Sequence, residues 1–206
     1  MTDCFVLLDE PRRPWLDVEA LKEKFLARAS ALHPDRFHAA SPSEKEEVSK
    51  RYAELNGAHA RLSNTKERLA HLLELELGRR PQDVQQVPSG AMDLFFQVGQ
   101  LCKETDQLLA ERAQVASPLL KVQSFQQGLE MGERISRLQQ VLGKELERIE
   151  AQLQTLNPAW AAAPAVGSPN RADKLPLDRL EGLYREASFL ARWRGQLQER
   201  FVQLSV

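Results

Sequence analysis

The sequence has little of what indicates a disulfide framework or a metal centre. Its 206 residues contain two cysteines, Cys4 and Cys102, which lie too far apart to form a Cys-x-x-Cys pair. We therefore expect both thiols to be small core side chains. The four histidines have no i,i+4 spacing that would place two ligands on one helix face. The sequence thus predicts no metal site and no cofactor.

Long apolar runs and an excess of charge of one sign are also missing. No run approaches the length of a membrane span, and the acidic Asp3, Asp9 and Glu10 are unlike the basic start of a signal peptide. The formal net charge is −1, whereas binding to nucleic acid or to a membrane surface needs clustered Lys and Arg. We expect neither partner, and we expect a cytoplasmic location.

What the sequence does contain is helical periodicity. Apolar residues recur at three- and four-residue steps over residues 17–32, 44–63 and 65–77, which predicts three amphipathic helices after a short apolar segment at residues 3–8. Asp17 is predicted to be an N-cap or first-turn acid, and Ser43 with Glu46 a capping box. Gly78 is predicted to end the last of these helices.

The second part of the chain shows the same periodicity after a polar, proline-bounded connector at residues 79–89. The pattern predicts helices at about 90–113, 117–157 and 176–204, with a flexible Ala/Pro/Gly/Ser-rich loop at 158–175. Three amphipathic helices can bury one another as an antiparallel bundle. The predicted fold class is therefore all-α, with two helical modules.

A single turn carries the most specific chemistry. Pro34 lacks a backbone N–H and disfavours the helical conformation at His33, so the preceding helix must end there. The turn should then hold the imidazole of His33 and the carboxylate of Asp35 toward solvent. A His-Asp catalytic pair is not favoured, because the nearby Ser30, Ser41 and Ser43 lack a nucleophile-elbow context. We therefore expect no enzyme.

Together with its flanking helices, this turn resembles the His-Pro-Asp loop of the J domains, the co-chaperones that stimulate DnaK-type ATPases. Within that family the chain is similar to HscB, the co-chaperone of iron-sulfur cluster assembly. The similar stretches are HPDRF at 33–37, AELNGA at 53–58, RLAHLLEL at 68–75 and SFLARW at 188–193. The resemblance implies a J domain over residues 1–78, a linker over 79–89 and a three-helix bundle over 90–206.

The resemblance also implies partners rather than a reaction. The loop would engage a DnaK/HscA-type ATPase, with Asp35 accepting charge-assisted hydrogen bonds from an arginine of that partner and with His33 and Pro34 shaping the loop. The residues expected to steer the encounter are Lys22, Lys24, Arg28 and Arg36. The bundle would present an apolar patch to an IscU-like scaffold protein, at approximately Phe95, Val98, Leu101 and Phe189.

Two alternatives stay open at this point. One is a J-domain protein with a client other than the scaffold. The other is a helical adaptor whose J-like module serves only for docking and lacks ATPase coupling. The second is suggested by the near-neutral helix at 17–32, where the basic residues are offset by Asp17, Glu19 and Glu23.

Overall fold

The computed structural model describes residues 2–37, 39–81, 86–114 and 117–205. All regular structure within these ranges is helical, which confirms the predicted all-α fold class. The helices are α1 (Cys4–Leu7), α2 (Val18–Ala31), α3 (Pro42–Ser63), α4 (Thr65–Leu77), α5 (Met92–Gln114), α6 (Pro118–Ala161), α7 (Arg171–Lys174) and α8 (Leu177–Ser205). Short 3-10 helices occur at Pro34–Phe37 and Ser89–Ala91.

The chain divides into two compact units. The first unit comprises residues 1–82 and 150–184, and the second comprises residues 83–149 and 185–206, so α6 and α8 contribute to both. This division differs from the predicted one, in which everything after residue 89 formed a single bundle. Residues 150–184 are instead grouped with the N-terminal helices, to which polar contacts also join them.

Helix ends in the first unit follow local capping chemistry. Asp17 is the N-cap of α2, as predicted, and accepts hydrogen bonds from the backbone N–H groups of Glu19 and Ala20. The capping box predicted at Ser43 and Glu46 is wrong, because α3 is capped by Ser41 with Glu44. Pro42 occupies the first helical turn, where its fixed φ is favourable and its missing N–H costs nothing.

The end of α4 also agrees with the prediction. Gly78 adopts a left-handed conformation with φ of 69°, and its N–H donates to the carbonyl of Glu74. This is the conformation that glycine adopts with the least steric cost.

The core of the first unit is formed by leucines and one phenylalanine. The fully buried apolar side chains in α1 to α4 and the α1–α2 connection include Phe5, Leu8, Leu16, Leu21, Leu62, Leu69, Leu72 and Leu73. Leu153, Leu180 and Leu183 from the later segment of the unit are equally buried. Burial of this many aliphatic groups provides the main driving force for the unit.

Polar contacts made by Glu150, Asn157, Arg171 and Glu181 join residues 150–184 to the N-terminal part of the unit. The fully buried Arg68 of α4 donates from Nη2 to both carboxylate oxygens of Glu150, at 2.8 and 3.0 Å. Asn157 exchanges two hydrogen bonds with the backbone of Trp15, each at 3.0 Å. Arg171 makes a buried two-pronged ion pair with Glu76, at 2.8 and 2.9 Å. These contacts hold the segment against the N-terminal part of the first unit.

The structure also differs from the predicted loop over residues 158–175, because part of this segment is helical. Helix α6 continues through Pro158 to Ala161, and residues 171–174 form α7. Arg171 is buried and anchors the connection between α6 and α8. The predicted loop boundary at residue 158 is therefore wrong.

The second unit packs α5 against the unit's parts of α6 and α8. Ion pairs join Glu104 of α5 to Arg134 of α6 at 2.6 Å and Asp106 of α5 to Arg200 of α8 at 2.8 Å. The pairs Arg148–Glu186 and Gln139–Gln198 run in opposite order along α6 and α8, so these two helices are antiparallel. The buried core of this unit includes Val98, Leu101, Leu108, Ile135, Leu142, Leu190 and Leu197.

Candidate functional site

The His-Pro-Asp loop is displayed at the end of the α2–α3 hairpin. Helix α2 ends at Ala31, and the 3-10 helix Pro34–Phe37 is closed by a 3.0 Å hydrogen bond from the N–H of Arg36 to the carbonyl of His33. The side chain of Asp35 is 89% exposed and that of His33 is 47% exposed. Both groups therefore face solvent in the structure, as predicted.

Contacts within the loop define its shape. The backbone N–H of Asp35 donates to Nδ1 of His33 at 3.3 Å, and the Asp35 carboxylate lies 3.5 Å from the same nitrogen. In the neutral imidazole, an accepting Nδ1 places the ring proton on Nε2. The ring also lies edge-on to Tyr52 of α3, with 5.7 Å between the ring centres. His33 thus orients the backbone that carries the Asp35 carboxylate.

The four basic residues predicted to steer a partner all have contacts within the chain. Lys24 pairs with the Glu10 carboxylate at 2.6 Å and the carbonyl of Asp9 at 3.1 Å. Arg28 donates to the carbonyl of Leu7 at 2.9 Å and lies 3.6 Å from the Asp9 carboxylate. Sequence patterns did not reveal these pairs, because Asp9 and Glu10 precede α2 and meet it only in the tertiary structure.

The other two basic side chains have weaker contacts. Lys22 lies 3.8 Å from the Glu19 carboxylate, and both side chains are more than half exposed. Arg36 makes a long hydrogen bond of 3.4 Å to the carbonyl of Ser30. The positive charge of these two residues is consequently less neutralised than that of Lys24 and Arg28.

Most residues of the predicted client patch are buried in the structure. Val98, Leu101 and Phe189 are 2%, 5% and 4% exposed, so they contribute to the core of the second unit. Phe95 is 40% exposed and is the one predicted member that reaches the surface. Helical spacing identified an apolar face of α5, but it did not distinguish the side chains that pack inward from those that stay outside.

An exposed aromatic patch nevertheless exists on α5. Its members are Met92, Phe95 and Phe96, of which Phe96 is 63% exposed and was not predicted. The Phe95 ring lies 5.5 Å from that of Phe96 and 6.4 Å from that of the buried Trp193 on α8. Exposed aromatic side chains supported by a packed layer are typical of recognition surfaces.

A charged group on α8 lies over one of the buried aromatic rings. Phe189 supports Trp193 with 5.5 Å between ring centres, and the guanidinium of Arg192 lies 5.3 Å from the Phe189 ring centre. Such a cation–π arrangement holds a charged group over a ring without requiring a carboxylate.

The cysteines behave as core residues. Both are buried, as predicted, and burial raises the pKa of the Cys4 and Cys102 thiols. A raised pKa keeps these groups in the unreactive thiol form. Within the described ranges, no three His, Cys, Asp or Glu side chains are grouped to hold a metal ion. None of the described helices combines the length and the apolar character that crossing a membrane requires.

Comparison with known proteins places these features in context. No protein-family model matches the sequence. The chain is 26% identical to the co-chaperone protein HscB homolog of Mannheimia succiniciproducens over 172 residues, covering 74% of this chain and 98% of that protein. It is 32% identical to the co-chaperone protein HscB homolog of Bordetella petrii over 99 residues, covering 48% of this chain and 56% of that protein.

The fold is shared with a solved structure. The chaperone HscB from Vibrio cholerae superposes with a TM-score of 0.54 at 21% identity, over 98% of this chain and 99% of that one. A helical hairpin with an exposed His-Pro-Asp loop, followed by further helices, is thus accompanied by similarity to HscB homologs in sequence and in fold. The chain is therefore similar in sequence to curated HscB co-chaperone homologs and shares the fold of an HscB structure.

Proposed function

We propose that the protein is a J-type co-chaperone of iron-sulfur cluster assembly that stimulates a DnaK/HscA-type ATPase and delivers an IscU-like scaffold protein to it. The observation that supports this most directly is the exposed carboxylate of Asp35, oriented by His33 at the end of a helical hairpin. The similarity to HscB homologs supports the same proposal.

Asp35 acts as the contact with the ATPase. A carboxylate with most of its surface open to solvent can accept two parallel hydrogen bonds from a partner arginine. His33 acts as a positioning residue, since its Nδ1 holds the N–H of Asp35 and its ring rests against Tyr52. Pro34 starts the 3-10 helix with a fixed φ, which keeps the loop short and stiff.

The basic residues act on the rate of encounter. Rim charges mainly change association rates, and charges already paired within a protein contribute less to a partner's field. Lys22 and Arg36 should therefore contribute more than Lys24 and Arg28, which are held by Asp9, Glu10 and a backbone carbonyl.

The scaffold binds the aromatic patch of Met92, Phe95 and Phe96. These side chains expose apolar surface that a protein partner would remove from water, and the Phe95 ring lies 6.4 Å from that of the buried Trp193. Phe189, which we expected to contact the client, supports this layer from below.

The test of ATPase coupling is steady-state ATP hydrolysis by a DnaK/HscA-type chaperone with and without the full-length protein. Asp35→Asn should reduce stimulation by about tenfold, because a charge-assisted hydrogen bond is lost. The melting temperature should stay unchanged, because the side chain is exposed. Glu46→Gln, which removes an exposed carboxylate from α3, is the matched control and should stimulate normally. Absence of stimulation by the wild-type protein at saturation would refute the proposal.

A helical adaptor without ATPase coupling is the second candidate. The pairing of Lys24 and Arg28 with residues of their own chain favours it, because it weakens the positive surface of α2. An adaptor would bind an IscU-like scaffold in a calorimetric titration, yet Asp35→Asn would change neither ATPase rates nor chaperone binding. A J-domain protein with another client would stimulate the ATPase without binding the scaffold.

A further inference from the structure

A groove of about 570 Å³ lies between α5 and α6 in the second unit. Its lining includes Phe96, Leu101, Leu138, Val141, Arg134 and Arg137. The buried Leu101 and Leu138 form the floor, while Phe96 and Val141 are exposed at its edge. A concave apolar surface with a small number of polar groups is the usual form of a recognition site.

The groove is continuous with the aromatic patch. Phe96 belongs to both, since it is a member of the patch and also lines the groove. A partner that covers Phe96 therefore also reaches the groove opening. This continuity indicates that the two surfaces contact the same partner.

The two arginines of the groove are held very differently. Arg134 pairs with Glu104 at 2.6 Å, and hydrogen bonds from Gln100 and Arg134 lower the pKa of Glu104, so this pair stays ionised. Arg137 pairs with Glu133 at 3.2 Å across one helical turn, and both side chains are 72% exposed. An exposed pair of this type contributes little and exchanges readily with other partners.

Arg137 is consequently able to bind a carboxylate from outside. A guanidinium has five donors, of which Glu133 engages only Nη2 at hydrogen-bonding distance. The groove lining, all of it within the described ranges, contains two guanidinium groups and two amides but no carboxylate. The surface is therefore complementary to a segment with an apolar side chain and an adjacent acidic one.

We infer that the client segment recognised by this protein is amphipathic and acidic: an apolar side chain enters the α5–α6 groove, and a neighbouring carboxylate pairs with Arg137. This inference rests on the proposed function, because it names the chemistry of the client that covers the aromatic patch. The partner then covers the exposed apolar surface of Phe96 and Val141. Arg134 stays paired with Glu104 at the side of the groove.

The experiment titrates an IscU-type scaffold protein against full-length variants. Arg137→Glu should weaken binding about tenfold at low ionic strength, and the difference should shrink to less than about threefold near 0.5 M salt. Val141→Asp should also weaken binding, because it removes an apolar side chain and places a negative charge at the groove edge. Lys121→Glu reverses an exposed charge on the same helix outside the groove and should bind as the wild type does.

Phe95→Ser separates this inference from the proposed function. If Phe95→Ser loses binding while Arg137→Glu and Val141→Asp bind normally, the groove has no part in recognition and the inference is overturned, although the proposed function stands. Equal losses for Arg137→Glu and Lys121→Glu would reveal an effect of net charge and overturn it as well. Absence of binding by the wild-type protein would refute scaffold delivery, and the inference with it.

Discussion

Glu150→Ala tests the connection that brings residues 150–184 into the first unit. Arg68 is fully buried and uses all of its donor nitrogens: Nε donates to the carbonyl of Pro14, Nη1 to that of Leu62 and Nη2 to the Glu150 carboxylate. The substitution leaves the two carbonyl contacts in place and removes the only carboxylate bonded to this guanidinium among the described residues. The arginine then stays buried with its charge uncompensated.

The expected cost follows from that burial. Removing one partner of a buried ion pair typically costs about 3–5 kcal/mol, but Glu150 is 26% exposed, so we expect about 2–4 kcal/mol in the free energy of unfolding. Glu150→Gln keeps an acceptor oxygen and should cost about 1–2 kcal/mol. Glu133→Ala removes an exposed carboxylate paired across one helical turn and should cost less than about 0.5 kcal/mol.

Urea unfolding followed by far-UV circular dichroism measures these differences. For a chain of this size, 1 kcal/mol shifts the melting temperature by about 2–4 °C, so Glu150→Ala should melt about 4–16 °C lower. Adding Arg68→Met to Glu150→Ala should recover much of the loss, because apolar replacement of a buried pair is often close to neutral. If Glu150→Ala costs no more than Glu133→Ala, the argument from the buried charge of Arg68 is refuted.

Three further predictions concern stability. Gly78→Ala should lower the free energy of unfolding by about 1 kcal/mol in urea titrations, because it forces a Cβ into a left-handed conformation; an unchanged midpoint would contradict the role of that conformation. Ser41→Ala should cost about 1 kcal/mol through loss of the α3 cap, and Ser43→Ala should cost less; the reverse order would restore the sequence-based capping box. Burial lowers the pKa of His71, whose Nε2 accepts the N–H of Cys4, so the unfolded chain binds a proton more readily than the folded one. The contribution of the neutral His71 to the free energy of unfolding should be complete above about pH 6.5 and should be lost as the pH falls below that value. His71→Phe should reduce the slope of this free energy against pH, and equal slopes for the two proteins would exclude this linkage.

The helices of this protein were predictable because their signals are local. Asp17 and Gly78 act through hydrogen bonds and dihedral angles within one turn of their own position, so their roles follow from the residues themselves. The Ser41 cap was missed because Ser41 and Ser43 both have a glutamate three residues later. Pro42, which favours the first helical position, distinguishes them.

The candidate site was predictable to different degrees. The exposure of His33 and Asp35 follows from the local effect of Pro34 on the end of α2. The client patch does not follow in the same way, since Val98 and Phe95 lie on one apolar face of α5, yet Val98 is buried and Phe95 is exposed in the tertiary structure. The same holds for Arg171, whose position in a Pro/Gly-rich segment gave no sign of its buried pair with Glu76.

The amino-acid sequence by itself therefore determined the helices, the ends at Asp17 and Gly78, and the exposed His-Pro-Asp turn, since all of these depend on interactions a few residues apart. Tertiary structure decided the rest: the inclusion of residues 150–184 in the first unit, the neutralisation of Lys24 by Glu10, and the choice of Phe95 and Phe96 as surface residues. These outcomes depend on which residues distant in sequence come into contact, because those contacts determine the energies of burial and of ion pairing.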